Sequence, residues 1–402
     1  MQLVERHVIK SNSPYFAEID DAAFASKNLY NATNYIMRQA YICTGFVLDM
    51  KALYAEAKLT EAYIGLPRKV SNDVLRQVLR DWKSFKAAQK EFAINPSRFL
   101  GRPKLPSYKH KSDGRNLLVF DIQAISKPLL KIGQIKLSGL SFIFQSKQTD
   151  VDCVRIVPKK THYIIEVVYS VEAQPADLDY TLVAGIDLGL NNLAVIASNK
   201  PGFQPVVVNG RPIKSINQFY NKRKAELTSI LTKKDDKCHS SKRIDRLTDL
   251  RTRRIDHYLH TASKRIIDLL VKERIGMLVI GKNQNWKQKI DIGKRNNQNF
   301  VSLPHARFID MLMYKCQLVG INVVVTEENH TSKCSFLDME SIGHHDQYQG
   351  KRIKRGMFRS ATGKMINADL NGAYNIIRKV APSAFANGVE DVAVHPVALA
   401  IN

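Results

Sequence analysis

The segment Gly185-Ile186-Asp187-Leu188-Gly189 closes an apolar run on a carboxylate. An aspartate at the end of a buried strand is costly unless it is paired or binds a metal. The flanking glycines allow a tight turn and a close approach, and a turn-capping aspartate is the plainer alternative. A second acid, Asp369, lies in Asn367-Ala368-Asp369-Leu370-Asn371-Gly372-Ala373-Tyr374-Asn375-Ile376, just before a predicted helix. Helix starts favour acids, so capping competes here too, but the spacing D-x-N-x-A-x-N is far more specific than one acidic residue. Small Gly372 and Ala373 would let that helix lie close to a strand. Phosphodiester hydrolysis needs several carboxylates to converge, because two divalent cations about 3.5–4 Å apart clamp the attacking and leaving oxygens. Mg2+ (or Mn2+) takes few protein oxygens, so two or three acids suffice.

Such acids must be delivered by strands and helices. LVAGIDLGLNNLAVIAS reads as strand, tight turn and strand, and PVVVNG as a third strand. Residues 214–272 read as a basic helical hairpin turning near Asp235-Asp236, carrying Lys222, Arg223, Lys224, Arg251, Arg253 and Arg254. IGMLVIG and INVVVTE are apolar strands flanking a helix around 304–319. Upstream, residues 1–15 read as strand and turn, and 16–95 as helical. Val74, Leu75, Val78, Leu79, Trp82 and Phe85 recur at helical spacing after Ser71, a good N-cap. That stripe reads as core; Arg76, Arg80 and Lys83 on the opposite face are solvated or contact phosphate. The stretch 98–115 interleaves Arg102, Lys104, Lys109 and Lys111 with aromatics, which suits backbone contact and base stacking as well as an ordinary linker. Residues 116–170 read as several strands, and 381–402 as a dispensable tail.

The chain of 402 residues is too long for one ordinary core. Its 44% apolar content is that of a folded protein. A net charge of +24 opposes compaction unless a polyanion offsets it, so nucleic acid is the natural partner. A membrane fits poorly, because no apolar run approaches the roughly 20 residues of a spanning helix. The five cysteines (Cys43, Cys153, Cys238, Cys316, Cys334) include no C-x-x-C pair and the N-terminus has no signal-like stretch, so a reduced, cytoplasmic chain is expected.

Taken in order, the Asp187 strand, the basic hairpin, IGMLVIG and N-A-D-L-N-G-A-Y-N-I resemble the RuvC domain of TnpB (OrfB) proteins. These are transposon nucleases related to type V CRISPR effectors. The likeness spans essentially the whole chain, since SKNLYNATNYIMRQA (26–40) and GRPKLPSYKHK (101–111) match the family's N-terminal half in place and character. The resemblance implies an α/β multi-domain fold: an RNase H-like (RuvC) mixed sheet with helices over 179–380, and a wedge-like β-barrel from 1–15 and 96–178 carrying a helical recognition insert over 16–95. It implies a metal-dependent endonuclease with a guide RNA made from the transposon end, cutting double-stranded target DNA beside a short motif. It places the protein in the prokaryotic cytoplasm at the nucleoid, and makes Asp187 and Asp369 the first and third catalytic acids.

Two departures stand out. The family's second acid, a Glu just after the strand matching IGMLVIG, is missing: Gly281-Lys282-Asn283-Gln284-Asn285-Trp286-Lys287 holds no carboxylate before Asp291. Glu327-Glu328 end the neighbouring strand INVVVTEE, and one of them is expected as a relocated catalytic acid and Mg2+ ligand; the alternative is a pair of structural caps. Alternation turns the two to opposite faces, so one serves. If neither does, the protein is a nuclease-inactive RNA-guided repressor. Second, the four zinc-ribbon positions within 329–366 hold Cys334, Leu337, Arg359 and Thr362. A zinc held by four cysteines is not expected from one thiolate; a different site using His330, His344, His345 and Cys334 is the minor alternative.

Overall fold

A computed structural model describes residues 1–233, 239–283, 293–386, 388–389 and 392–401. The expected hairpin turn at Asp235-Asp236, together with Cys238, Gln284–Lys287 and Asp291, lies outside the described residues. The chain divides into two compact units, Met1–Val171 and Glu172–Asn402.

The first unit contains β1 (Gln2–Lys10), α1 (Phe16–Thr44), α2 (Met50–Ala57), α3 (Glu61–Ile64), α4 (Arg68–Ile94), β2 (Leu118–Asp121), α5 (Lys127–Leu130), β3 (Gln134–Lys136), β4 (Ile143–Gln145), β5 (Cys153–Pro158) and β6 (His162–Ser170). Antiparallel pairing runs in the order β1-β6-β5-β2, with β3 and β4 as a separate ribbon. The expected barrel therefore takes the form of an open four-stranded sheet plus a ribbon. The apolar stripe of α4 is core: Val74, Leu75, Val78 and Trp82 are fully buried, and the Trp82 indole donates to Asn34 Oδ1 at 2.9 Å. Ser71 is not the N-cap. The helix starts at Arg68 after Pro67, and the buried Ser71 hydroxyl donates to Tyr63 O at 2.9 Å. A proline cannot donate, so it ends the preceding loop naturally.

The second unit contains β7 (Asp179–Leu188), β8 (Asn192–Ser198), β9 (Val206–Asn209), α6 (Arg211–Thr232), α7 (Lys242–Lys272), β10 (Ile275–Gly281), α8 (Lys294–Ser302), α9 (His305–Val319), β11 (Asn322–Thr326), β12 (Lys351–Lys354), β13 (Met357–Arg359), β14 (Met365–Asn367), α10 (Ala368–Val380) and β15 (Val397–Ala398). Its sheet runs β11-β10-β7-β8-β9-β15. β10 is parallel to β7 and β11, β15 is parallel to β9, and the other pairs are antiparallel. Because side chains alternate along a strand, Ala184, Ile186 and Leu188 of β7 face the core with Leu259 of α7 and Phe308 of α9, whereas Val183 faces α10. Both faces are thus covered, which explains why these strands read as continuous apolar runs.

Residues 381–402 are not a dispensable tail. Phe385 is buried edge-on against Phe336 and Tyr374, the Tyr374 hydroxyl donates to Ala393 O, and β15 extends the sheet. Hydrophobic patterning is weak over such a short strand, so the sequence hid the addition.

Candidate active site

Asp187 is the penultimate residue of β7, on the face shared with Val183 and covered by α10. Asp369 enters the site on the first turn of α10. Its capping role is taken by Asn367, whose side-chain oxygen accepts from the Asp369 and Leu370 amides at 3.0 and 3.1 Å. A Cβ at Gly372 would lie 2.8 Å from Asp187 Oδ2, so only glycine lets the helix come this close.

β11 stops at Thr326, beside Gly281 at the end of β10. The chain then turns, and the two glutamates separate. Glu327 is exposed, held by Asn329 Nδ2 at 3.2 Å. Glu328 folds over Gly281, where a Cβ would meet its Cγ at 2.6 Å and its Oε1 at 2.7 Å. Glu328 Oε1 is buried and has no hydrogen-bond partner.

The electrostatics tie the acids together. Burial pushes the Asp187 carboxyl well above its ordinary range, and the charges of Glu328 and Asp369 push it further; Arg352 partly offsets them. Burial raises Glu328 to about 7. Two such acids and an orphaned carboxylate oxygen are the donor set a hard divalent cation prefers. Asp369 is otherwise engaged: Asn192 Nδ2 donates to Oδ2 at 2.8 Å, and Arg352 Nη2 lies 3.3 Å from Oδ1. Among the described residues no three His, Cys, Asp or Glu side chains are disposed to hold a metal as they stand.

The asparagines of D-x-N-x-A-x-N have a structural role that the spacing alone did not reveal. Asn371 accepts from the Phe336 amide and donates to Cys334 O, both at 2.9 Å. Asn375 donates to Thr331 O and Cys334 O at 2.9 and 2.8 Å. Thr331 in turn donates to Glu328 O from both its amide and its hydroxyl. The helix that begins with Asp369 therefore also holds the loop that carries Glu328.

The family OrfB_IS605, described as a probable transposase, matches residues 166–287, and the TNB domain of Cas12f1-like proteins matches 305–376. The TnpB-like protein ORF457 of Acidianus two-tailed virus is 23% identical over 395 residues, covering 88% of this chain and 81% of that protein. The chain is thus similar to TnpB-like and type V effector proteins in both matched segments. The Cas12f1 endodeoxyribonuclease of Sulfoacidibacillus thermotolerans is 27% identical over 231 residues, covering 54% of this chain and 50% of that protein. A Cas12f1–sgRNA–target DNA complex solved by cryo-EM shares the fold, with a TM-score of 0.54 at 15% identity over 90% of this chain and 82% of that one.

The segment 329–366, expected to resemble a zinc ribbon, has another centre. The Glu340 carboxylate accepts from the Ser335 and Gln349 amides at 2.6 and 3.0 Å, and Phe336 stacks on Tyr374 at 4.4 Å. Cys334 is buried with its thiol on Gly343 O, while His330 contacts Tyr348 and His345 contacts Ser341. Cys334, His330 and His345 thus each have a hydrogen-bond partner outside the Cys334–histidine set.

The cationic candidates divide. Arg80, Lys83, Arg102, Lys104, Lys111, Lys222, Lys224, Arg253 and Arg254 are exposed. Arg76 lies 3.8 Å from Asp73, and Arg223 pairs with Glu226 at 2.6 Å. Lys109 sits over the Tyr30 ring at 4.5 Å, and Asn31 fixes its backbone at both ends. Arg251 donates to Asn217 and Ser302 O and lies over Tyr220. Lys109 and Arg251 are thus built into the fold, contrary to their expected place on a phosphate-binding face. A cation aimed at a ring or carbonyl of its own unit looks identical in sequence to a free one.

Proposed function

We propose that the protein is an RNA-guided, metal-dependent DNA endonuclease, with a guide RNA made from the transposon end, that cuts double-stranded target DNA beside a short motif. What supports this reading is the buried Asp187 of β7, on which the charges of Glu328, just past β11, and Asp369, on α10, both act, with Glu328 lying over Gly281. In this reading Glu328, not Glu327, is the relocated second acid, and the three carboxylates hold Mg2+ or Mn2+. Bound there, divalent cations stabilise charge on the attacking and leaving oxygens of the phosphodiester. Asp187 keeps a partly open edge for them, Asn192 orients Asp369 through Oδ2, and α10 excludes water from the buried side. The first unit serves as wedge and helical recognition insert, with 1–15 and 96–178 framing 16–95, and reads the motif. Exposed cations of α4, the 98–115 stretch and the α6–α7 hairpin contact the nucleic-acid backbone, and the protein works in the cytoplasm at the nucleoid. No helix among the described residues is long and apolar enough to cross a membrane. The nuclease-inactive alternative rests on the missing acid after β10; the Glu328 carboxylate over Gly281 favours the active reading.

Guided cleavage in Mg2+ tests the reading. Glu328→Gln, Asp187→Ala and Asp369→Ala each lower cleavage on the order of 10²–10³-fold, the several kcal/mol that metal-assisted charge stabilisation supplies, while guided binding persists. Glu327→Gln stays within about 3-fold of wild type, a barrier change of under roughly 1 kcal/mol. Full activity of Glu328→Gln, or tight guided binding by wild type without cleavage, would overturn the assignment.

A further inference from the structure

We propose that Arg352 is a counter-ion latch on Asp369, coupling metal loading of the acids to the arrival of nucleic-acid phosphate. The proposal rests on the reading of the three acids as metal ligands. Both oxygens of Asp369 are occupied: Asn192 holds Oδ2 at 2.8 Å, and Arg352 stands 3.3 Å from Oδ1. A divalent cation taking Oδ1 competes with the guanidinium for one atom with the same sign of charge. Arg352 belongs to β12, whose pairing with β13 shifts register between Arg352 and Lys354, and such irregularities re-aim side chains. The hairpin is anchored close by: the Ala368 amide donates to Gly356 O at 3.1 Å, and Phe358 and Ile366 are buried. The anchored backbone sets where the guanidinium can reach, while its own half-exposed head remains able to turn. Lys351, Ile353, Lys354 and Arg355 beside it are exposed, so a phosphate meets this edge of the site first. Phosphate accepts a bidentate guanidinium at least as well as one carboxylate oxygen does. As Arg352 turns to the phosphate, Oδ1 becomes available, and the site takes metal more tightly when there is a backbone to cut.

The test is Mn2+ affinity by titration calorimetry, on the full chain without nucleic acid and on the guide–target complex made with phosphorothioate DNA. Without nucleic acid, Arg352→Gln binds Mn2+ on the order of five-fold tighter than wild type, as expected on removing an exposed ion pair. Arg352→Lys stays near wild type because it keeps the charge. In the complex, wild type and Arg352→Gln converge. Equal or weaker Mn2+ binding by the nucleic-acid-free Arg352→Gln protein overturns the latch alone. A difference that persists in the complex overturns the release step. Absence of Mn2+ binding in every variant, matching an Asp369→Asn control, overturns the metal-ligand reading and the latch with it.

Discussion

Glu328 occupies the space that a side chain at Gly281 would take, since a Cβ there would lie 2.6 Å from Glu328 Cγ. In the proposed site the acid missing from the end of β10 comes instead from just past its parallel neighbour β11, where Thr326 pairs with Gly281. Relocation predicts that the acid can be moved back. Glu328→Ala abolishes guided cleavage; adding Gly281→Glu to it restores at least roughly ten-fold, a barrier change of about 1.4 kcal/mol. Gly281→Glu alone, with Glu328 in place, overfills the site and lowers Tm. A double variant as inactive as Glu328→Ala would show that the two positions do not open on the same space.

The clustered acids are a cost to the metal-free fold. Burial raises the carboxyl pKa of both Asp187 and Glu328, and the Glu328 charge raises Asp187 further. Replacing the charge while keeping the shape should relieve it. Glu328→Gln and Asp187→Asn, measured in EDTA, are expected to melt no lower than wild type and up to a few degrees higher, given about 2–4 °C per kcal/mol for a unit of this size. Mg2+ should stabilise wild type and leave both variants nearly unchanged. A fall of several degrees in EDTA for either variant would contradict the picture.

Asn375 links the two halves of the site. Its amide donates to Thr331 O and Cys334 O, on the loop that follows Glu328. Asn375→Ala removes the donor to Thr331 O and leaves Cys334 O with Asn371 alone, at about 1–3 kcal/mol. Differential scanning calorimetry should show a Tm lower by several degrees. Cleavage should fall by at least an order of magnitude at temperatures where the variant is still folded. Wild-type cleavage by a folded Asn375→Ala protein would mean that the loop holds Glu328 without help.

Salt dependence separates structural from binding cations. Each phosphate contact contributes about 0.7–0.9 to the slope of log affinity against log salt. Arg253→Ala/Arg254→Ala is expected to lower that slope by about one to two and leave Tm unchanged. Arg251→Ala should lower Tm and leave the slope alone, because Arg251 bonds Asn217 and Ser302 within its own unit. The reverse pattern would return Arg251 to the nucleic-acid surface.

Deleting residues 381–402 removes β15 and the buried Phe385. Truncating a buried Phe to Ala alone costs about 3–5 kcal/mol, so the shortened protein should melt far lower or fail to stay in solution. A truncated protein with native Tm would restore the view of this segment as a tail.

Sequence by itself determined much of the second unit. Alternation and apolar runs located β7, β8 and β10, helical spacing located α4, and the fixed order of Asp187, hairpin, strand and N-A-D-L-N-G-A-Y-N-I placed two acids at strand and helix ends. Such signals are legible because local periodicity is a property of consecutive residues. It also narrowed the third acid to Glu327 or Glu328 without choosing. What separates the two is tertiary structure: β11 stops at Thr326, so strand alternation no longer governs the next two residues, and the space over Gly281 takes the Glu328 side chain, which is why Glu328 is the one proposed. The same holds for Arg352, Asn192 and Lys109, whose partners Asp369, Asp369 and Asn31 lie 17, 177 and 78 residues away. A side chain's partner across such distances depends on where the packed backbone brings it, and no local pattern records that.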